Sequence, residues 1–428
     1  MNRRLLAVVL AGACLAASTV RAQVGREATP TRMTFKDAVA RSIERNPSAQ
    51  QAAEEILRAD ALVGQARAGA LPQVSAGVSA TAYRGSDLVG VPVSTSLNQL
   101  TAGVTVVAPL YAPVQWALRV QLMDNKQVAE LAAADVRRQV AVATAEAYLA
   151  VLAWQRVIDA NQRARETAQA HYEFARQRRE SGAGSRLNEL RAQQSVSIID
   201  VVVEEARAGL YRAEEALGVF VADSGPVTAA DEPRLDVPPS LDSAIASVSS
   251  VRTDLRLAEG REKAATRVVT DSWKDWLPSV TGLFQPLYAT PATTSQPAWS
   301  WRLQVSAAIP IFDAGSRREK RAEREVLLKE SQIAFEGLAR QARSDERTAE
   351  NALARAERAW AASQLAAQQA HEVVDIVNIS FKVGASTNIE VIDAQRVARD
   401  ADTAAVVAED QVRQSRLALL VALGRFPQ

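Results

Sequence analysis

Cysteine occurs once in the 428 residues, as Cys14, so no disulfide can form within one chain. Histidine occurs twice, as His171 and His371, each inside a helical run and apart from any Cys or carboxylate at ligand spacing. No nucleophile elbow and no phosphate-cradling glycine loop is present, so an enzyme finds no support, no cofactor or metal is expected, and both histidines read as solvated helix positions. Charge of one sign is also lacking: 50 Lys and Arg stand against 49 Asp and Glu, which argues against a nucleic-acid partner. Aromatics make up only 5% while alanine is used throughout, a composition suited to long helices packed on small side chains. Glycine and proline are missing over long stretches, with neither from Val114 through Ser181 and only Gly337 from Ser316 through Val383. At 1.5 Å per residue each run spans about 100 Å as helix.

The one apolar run near the N-terminus, Leu5 to Ala17, is shorter than the roughly 20 residues of a membrane-spanning helix. It follows Arg3 and Arg4 and precedes Val20-Arg21-Ala22, a small-x-Ala cleavage pattern. Residues 1–22 therefore read as a secretory signal, with the mature chain starting near Gln23. A competing reading lipidates Cys14 after Ala11-Gly12-Ala13, although a lipoprotein signal usually places Leu where Ala11 stands.

What is present is a chain written twice. Thr34-Phe35-Lys36-Asp37-Ala38 followed by Asn46-Pro47 is matched about 200 residues on by Ser240-Leu241-Asp242-Ser243-Ala244 followed by Arg252-Thr253-Asp254. Leu71-Pro72 returns as Leu277-Pro278, Pro109-Leu110-Tyr111 as Pro310-Ile311-Phe312, and Ala216-Leu217-Gly218 as Ala422-Leu423-Gly424. Gly182 to Gln193 aligns without a gap on Gly384 to Gln395. Two structural repeats, 23–222 and 240–428, are thus joined by a Pro- and Asp-rich linker at 223–239. In the long runs, Phe335, Leu338, Ala342, Ala349 and Ala352 recur at three- and four-residue spacing, the mark of a coiled-coil-like seam.

Between Leu71 and Tyr111 the period becomes two: Val74, Ala76, Val78 and Ala80 alternate with Ser75, Gly77 and Ser79, and Ala102, Val104, Val106 and Ala108 with Thr101, Gly103 and Thr105. Trp299, Trp301, Leu303, Val305, Ala307 and Ile309 alternate with Ser300, Arg302, Gln304 and Ser306. Strands are expected at about 72–83, 100–110, 277–288 and 299–311, the third alternating poorly. Their lengths match the 9 to 11 residues of a tilted transmembrane strand. A half-buried soluble sheet alternates in the same way, and a solvated cytosolic rod would explain the helices alone. Four strands are too few for a barrel, which takes about 8 or more, so either the sheet is open or several chains pool their strands.

The chain resembles the TolC-like outer-membrane efflux channel family over essentially its whole mature length. The resemblance is carried by Thr34 to Pro47, by Pro310-Ile311-Phe312-Asp313-Ala314-Gly315, by the two Gly-to-Gln stretches and by the two Ala-Leu-Gly endings. Pro109-Leu110-Tyr111-Ala112-Pro113 departs from its partner in lacking Asp-x-Gly. The resemblance implies a mainly α protein with a small membrane β-barrel, a homotrimer pooling twelve strands in outer-membrane lipid above a periplasmic α-helical tube. It implies the exit duct of a tripartite efflux or type I secretion system. The partners would be a periplasmic adaptor and an inner-membrane pump of the resistance-nodulation or ATP-driven kind. The rival is an exported trimeric coiled-coil adhesin or structural protein without a channel.

The same resemblance makes Arg84 to Gln99 and Thr290 to Ala298 outward loops. It makes Gly182, Ala183, Gly184 and Ser185 one periplasmic tip, and Val383, Gly384, Ala385, Ser386 and Thr387 the other, both offered to the adaptor. Glycine suits such turns by accepting positive φ, and Thr387 or Ser386 is placed to cap the next helix. Glu390 and Asp393 fall on the positions that narrow the tube's inner end in similar proteins, where three copies would stack two carboxylate rings. An ordinary helix start also favours acidic residues there. The repeat alignment sets Asn188 opposite Glu390 and Arg191 opposite Asp393, which makes Arg191 and Asn188 candidate gate partners, with Arg191 as a solvated residue the alternative.

Overall fold

The computed structural model describes residues 29–82, 98–237, 252–292 and 297–426. Residues 1–22 with Cys14, the Ser240 to Ala244 repeat landmark and nearly all of the Arg84 to Gln99 segment lie outside the described residues.

The first repeat runs β1 (Thr31–Met33), α1 (Phe35–Arg45), α2 (Pro47–Gly69), β2 (Gln73–Ala82), β3 (Asn98–Tyr111), α3 (Pro113–Glu180) and α4 (Arg186–Val221). After β4 (Val227–Ala229), the second runs α5 (Thr253–Thr270), a 3-10 turn (Asp271–Trp276), β5 (Ser279–Thr290), β6 (Trp299–Ala308), α6 (Ser316–Lys382) and α7 (Asn388–Ala422). Helix α3 is 68 residues long and α6 is 67, as the absence of breakers requires. Each pairs with the helix after its tip, α3 with α4 and α6 with α7. Asn46 ends α1 and caps α2: its Oδ1 accepts from the Ser48 amide at 3.0 Å, and Pro47 takes the first helical position, where a missing N–H costs nothing.

The seam of α6 is regular. Ala342, Glu346, Ala349, Ala356, Ala367, Ala370, Val374 and Phe381 are buried, with Leu353, Trp360, Ser363 and Val377 half-buried between them. Steps of four and three alternate, the a/d pattern of a left-handed coiled coil. Continuing it past Ala349 lands on Leu353, so the expected seam residue Ala352 is exposed, and Phe335 and Leu338 are only half-buried.

The four strands form one antiparallel sheet ordered β2-β3-β5-β6. Register runs straight across it: Val74 opposes Val106, Val106 opposes Phe284, and Phe284 opposes Leu303. Likewise Val78, Ala102, Tyr288 and Trp299 form one rung. The opposite face pairs Ser75 with Thr105, Ser79 with Thr101, Gln285 with Arg302 and Thr281 with Ser306. Since side chains alternate along each strand, one face is apolar and the other mainly polar, interrupted by Val107, Leu283 and Leu287. The weakly alternating third strand is β5, which is central rather than doubtful. Its ladder to β3 skips Gln285 and Pro286, where proline has no N–H to give, and Gln285 Nε2 of the side chain donates to Thr105 Oγ1 at 3.3 Å. The last strand is shorter than expected, ending at Ala308, because Pro310 cannot donate to a ladder. Beyond it Asp313 accepts from the Arg317 amide at 3.0 Å, Gly315 takes φ +91°, and the Arg317 guanidinium covers the Trp276 ring at 4.3 Å.

The principal core lies where the repeats meet, far from the sheet. Met33, Val39, Tyr148, Leu149, Leu217 and Leu417 share it with Val227 and Phe426. Strand β4 lies within the 223–239 segment, pairs in parallel with β1, and is followed by Asp231, which accepts from Tyr148 Oη at 2.6 Å and the Phe35 amide at 2.8 Å. The connection between repeats is thus packed structure. Burial, with the Asp231 carboxylate beside it, pushes the Tyr148 phenol well above its ordinary pKa.

Candidate channel entrance at the helical tips

Both tips are built by one backbone device. Gly182 adopts φ +77° and Gly384 φ +82°. The Ala183 amide donates to the Arg178 carbonyl at 2.8 Å and the Gly182 amide to Arg179 at 3.0 Å. The Ala385 amide donates to Ser380 at 2.8 Å and the Gly384 amide to Phe381 at 3.1 Å, the same closure one repeat later. This is the Schellman arrangement, in which a left-handed residue lets the last carbonyls find partners; a Cβ at either glycine would be strained.

Each returning helix is then capped by a hydroxyl. Ser185 Oγ accepts from the Asn188 amide at 3.3 Å, and Thr387 Oγ1 from the Glu390 amide at 3.4 Å. Of the two expected caps, Thr387 is the one used, while Ser386 Oγ donates to the Val377 carbonyl at 3.1 Å. Glu390 completes a capping box, its Oε2 accepting from the Thr387 amide at 2.8 Å.

Within one chain Glu390 and Asp393 stand near the start of α7, but each has a local partner. Glu390 is turned back to its own cap, and Asp393 pairs with Arg396 at 2.7 Å. Arg191 reaches neither carboxylate and has no ion pair among the described residues of its chain. It lines a groove of 790 Å³ between α4 and α7, together with Arg163, Ile198 and Ile392. Asn188 contributes its backbone, the carbonyl accepting from Asn388 Nδ2 at 3.3 Å.

One of the two histidines differs from expectation. His171 is 7% exposed rather than solvated; its Nε2 lies 2.9 Å from Asn388 Oδ1 and its ring 5.5 Å from that of Phe381. Burial holds its pKa below the ordinary imidazole value. The signal was available, since Asn161, Ala168 and Ala175 mark a seven-residue repeat on α3 and His171 divides its last interval into steps of three and four. His371 is exposed and meets Asp402 of the neighbouring helix at 2.9 Å, a carboxylate that local spacing does not reveal. Sequence reasoning also missed Glu189, buried between Arg179 at 2.7 Å and Arg186 at 2.5 Å. Among the described residues no cluster of three or more His, Cys, Asp or Glu could hold a metal, and no helix is long and apolar enough to cross a membrane.

The model of the outer membrane efflux protein family matches residues 38–219 and 244–425, one match per repeat. The chain belongs to the outer membrane efflux protein family. A comparison with curated proteins finds no match. Among solved structures, it is similar to CusC, with a TM-score of 0.79 at 18% identity over 91% of this chain and 92% of that one. The Campylobacter jejuni CmeC outer membrane channel gives 0.78 at 14%, covering 91% and 85%. The open state of the Neisseria gonorrhoeae MtrE outer membrane channel gives 0.76 at 19%, covering 92% and 90%. At these identities the likeness is one of fold. Family membership makes the protein an exit duct for efflux across the outer membrane, reaching into the periplasm and serving with efflux-pump components; it is not an enzyme.

Proposed function

We propose that three copies assemble around one axis, pooling their sheets into a twelve-strand barrel in outer-membrane lipid and their hairpins into a periplasmic tube. The observation that carries this is the sheet: four strands, apolar on one face and mainly polar on the other, with β2 and β6 each paired on one side only among the described residues. Open edges with apolar side chains such as Trp299 (73% exposed) and Leu303 (66%) are a liability in a monomer and a wall in a closed barrel. Ile311 and Phe312, 90% and 87% exposed just past β6, suit burial between copies. The mature protein purifies as a detergent-dependent trimer on this reading. A monodisperse monomer that keeps its helix content without detergent overturns it.

The tips, Gly182 to Ser185 and Val383 to Thr387, are the surface that a periplasmic adaptor meets first, with an inner-membrane pump of the resistance-nodulation or ATP-driven class behind it. Gly384→Glu is expected to abolish efflux while trimers persist in the membrane. Unchanged efflux at normal trimer levels moves docking elsewhere. In the assembled tube, Glu390 and Asp393 from three chains form stacked carboxylate rings that favour cations, and Arg191, without an ion pair among the described residues of its chain, is free to meet a neighbour's carboxylate.

A further inference from the structure

Just above the tips, the four longest helices converge on one buried cluster. His171 of α3 and Asn388 of α7 are 7% and 4% exposed. Asn388 Nδ2 donates to the Asn188 carbonyl of α4 at 3.3 Å, so its Oδ1 is left as acceptor, and His171 Nε2 at 2.9 Å must carry the proton. Phe381 of α6 packs its ring 5.5 Å from the imidazole and 5.9 Å from Phe174, and the Arg178 guanidinium lies 5.4 Å from the Phe381 ring. The two hydrogen bonds run from the first hairpin to the second and back, tying one tip to the other.

We propose that His171 is a proton-responsive positioning residue: while its imidazole is neutral the His171–Asn388–Asn188 relay holds the two hairpins together, and protonation releases them so that the entrance widens. This rests on the reading of the tips as the entrance of the duct. A second proton on the ring creates a charge, and a new N–H donor at Nδ1, inside an aromatic cluster that already holds Arg178. The nearby carboxylates are engaged elsewhere. On α3, Glu173 accepts from Gln169 and pairs with Arg176; on α4, Glu189 is held by Arg179 and Arg186. On α7, Glu390 faces its own cap and Asp393 faces Arg396, while Asp375 and Lys382 of α6 are exposed, as is Arg191 at the groove. None of these hydrogen-bonds His171 among the described residues.

The sign follows from linkage. Burial depresses the imidazole in the closed state, whereas a released, solvated imidazole titrates near 6.5. Below that value the open state binds the proton and the closed state does not, so closure is fully supported above about pH 7 and weakens as pH falls, by at most about tenfold per subunit per pH unit.

Trimers in planar bilayers are compared at about pH 7.5 and about pH 5, with nitroxide pairs on S181C and V383C in a C14S background reporting tip separation. Wild type is expected to show at least about a threefold rise in open probability at the lower pH, reversibly, with a longer tip distance. His171→Gln keeps a donor for Asn388 without titrating, and its pores stay narrow at both pH values. Asn388→Ala pores are wide at both. Wild-type pores that do not respond to pH, or a His171→Gln response equal to wild type, overturn the coupling and leave the duct standing. Folded trimers that give no pore in wild type and in Asn388→Ala overturn the duct reading instead.

Discussion

The long helices are bolted where the repeats meet and lightly joined at their tips. Where the repeats meet, α3, α4 and α7 bury Tyr148, Leu149, Leu217, Leu417 and Leu420 around β1 and β4, all essentially inaccessible to solvent. Near the tips the seams are made of Ala168, Val196, Ile199 and Val203 on one hairpin and Ala370, Val374, Ala394 and Ala398 on the other. Apolar stabilisation scales with buried area, so the mid-body is the stable unit and the tips the compliant one. The proposed entrance at the tips, parting and resealing while the wall stays closed, would call for that gradient.

The largest test of this contrast is at the core. Leu417→Ala, at 2% exposure, is expected to cost about 2–5 kcal/mol and to lower the thermal midpoint of the protein in detergent, since the cavity is walled by both repeats. Val391→Ala, at 1% exposure but beside the second tip, is expected to leave that midpoint almost unchanged and to speed amide exchange around residues 378–394. Equal losses of global stability from the two substitutions would break the contrast between a bolted core and compliant tips.

An intermediate effect is expected at Glu189, which sets the two tips apart. The first tip carries this carboxylate buried between Arg179 and Arg186, while at the aligned position the second has the buried aliphatic Val391 and keeps its acidic groups exposed. Glu189→Gln leaves Arg186 without its counter-ion and Arg179 with only the longer 3.9 Å pair to Glu180. Because Arg186 is well exposed, the expected cost is about 1–2 kcal/mol, below that of a fully buried pair. The measurement is amide exchange of residues 176–192 against 378–394. Faster exchange confined to the first tip supports an ionic lock there, and no change removes it.

Legibility followed the range of the interactions. Long helices, tips and strands were readable because each rests on local chemistry: missing breakers, a glycine that accepts positive φ, and side chains alternating by two. The duplication added register, since Gly182 and Gly384 with their aligned neighbours fixed both tips at once. What escaped the sequence depends on which helix faces which. Nothing local marks Asn388 as the acceptor for a histidine 217 positions away, or Asp402 as the partner of His371. Glu189 reads as an ordinary acidic helix start until Arg179 is folded back against it. The seam error at Ala352 is of another kind: three- and four-residue steps are both helical, and only the alternation of the two singles out Leu353.

The smallest expected energy belongs to Arg191, and it bears most directly on the entrance. Its aligned counterpart Asp393 has a local partner in Arg396, whereas Arg191 has no ion pair among the described residues of its chain and faces the groove between α4 and α7. In a closed ring of alternating hairpins, a neighbour's Asp393 would have to choose between Arg396 of its own helix and Arg191 of the next. An exposed pair of that sort is worth about 0–1 kcal/mol, so three copies bias the entrance without locking it. Arg191→Glu replaces attraction by repulsion at each contact and is expected to raise single-channel conductance and to sensitise cells to large antibiotics. Glu390→Gln with Asp393→Asn is expected to lower cation preference, with a smaller change in pore size because Glu390 serves its own cap. If Arg191→Glu leaves conductance and leakage at wild-type values in intact trimers, the residue is a solvated position on the groove wall. The proposed entrance would then rest on the buried junction above the tips, with no share from surface charge.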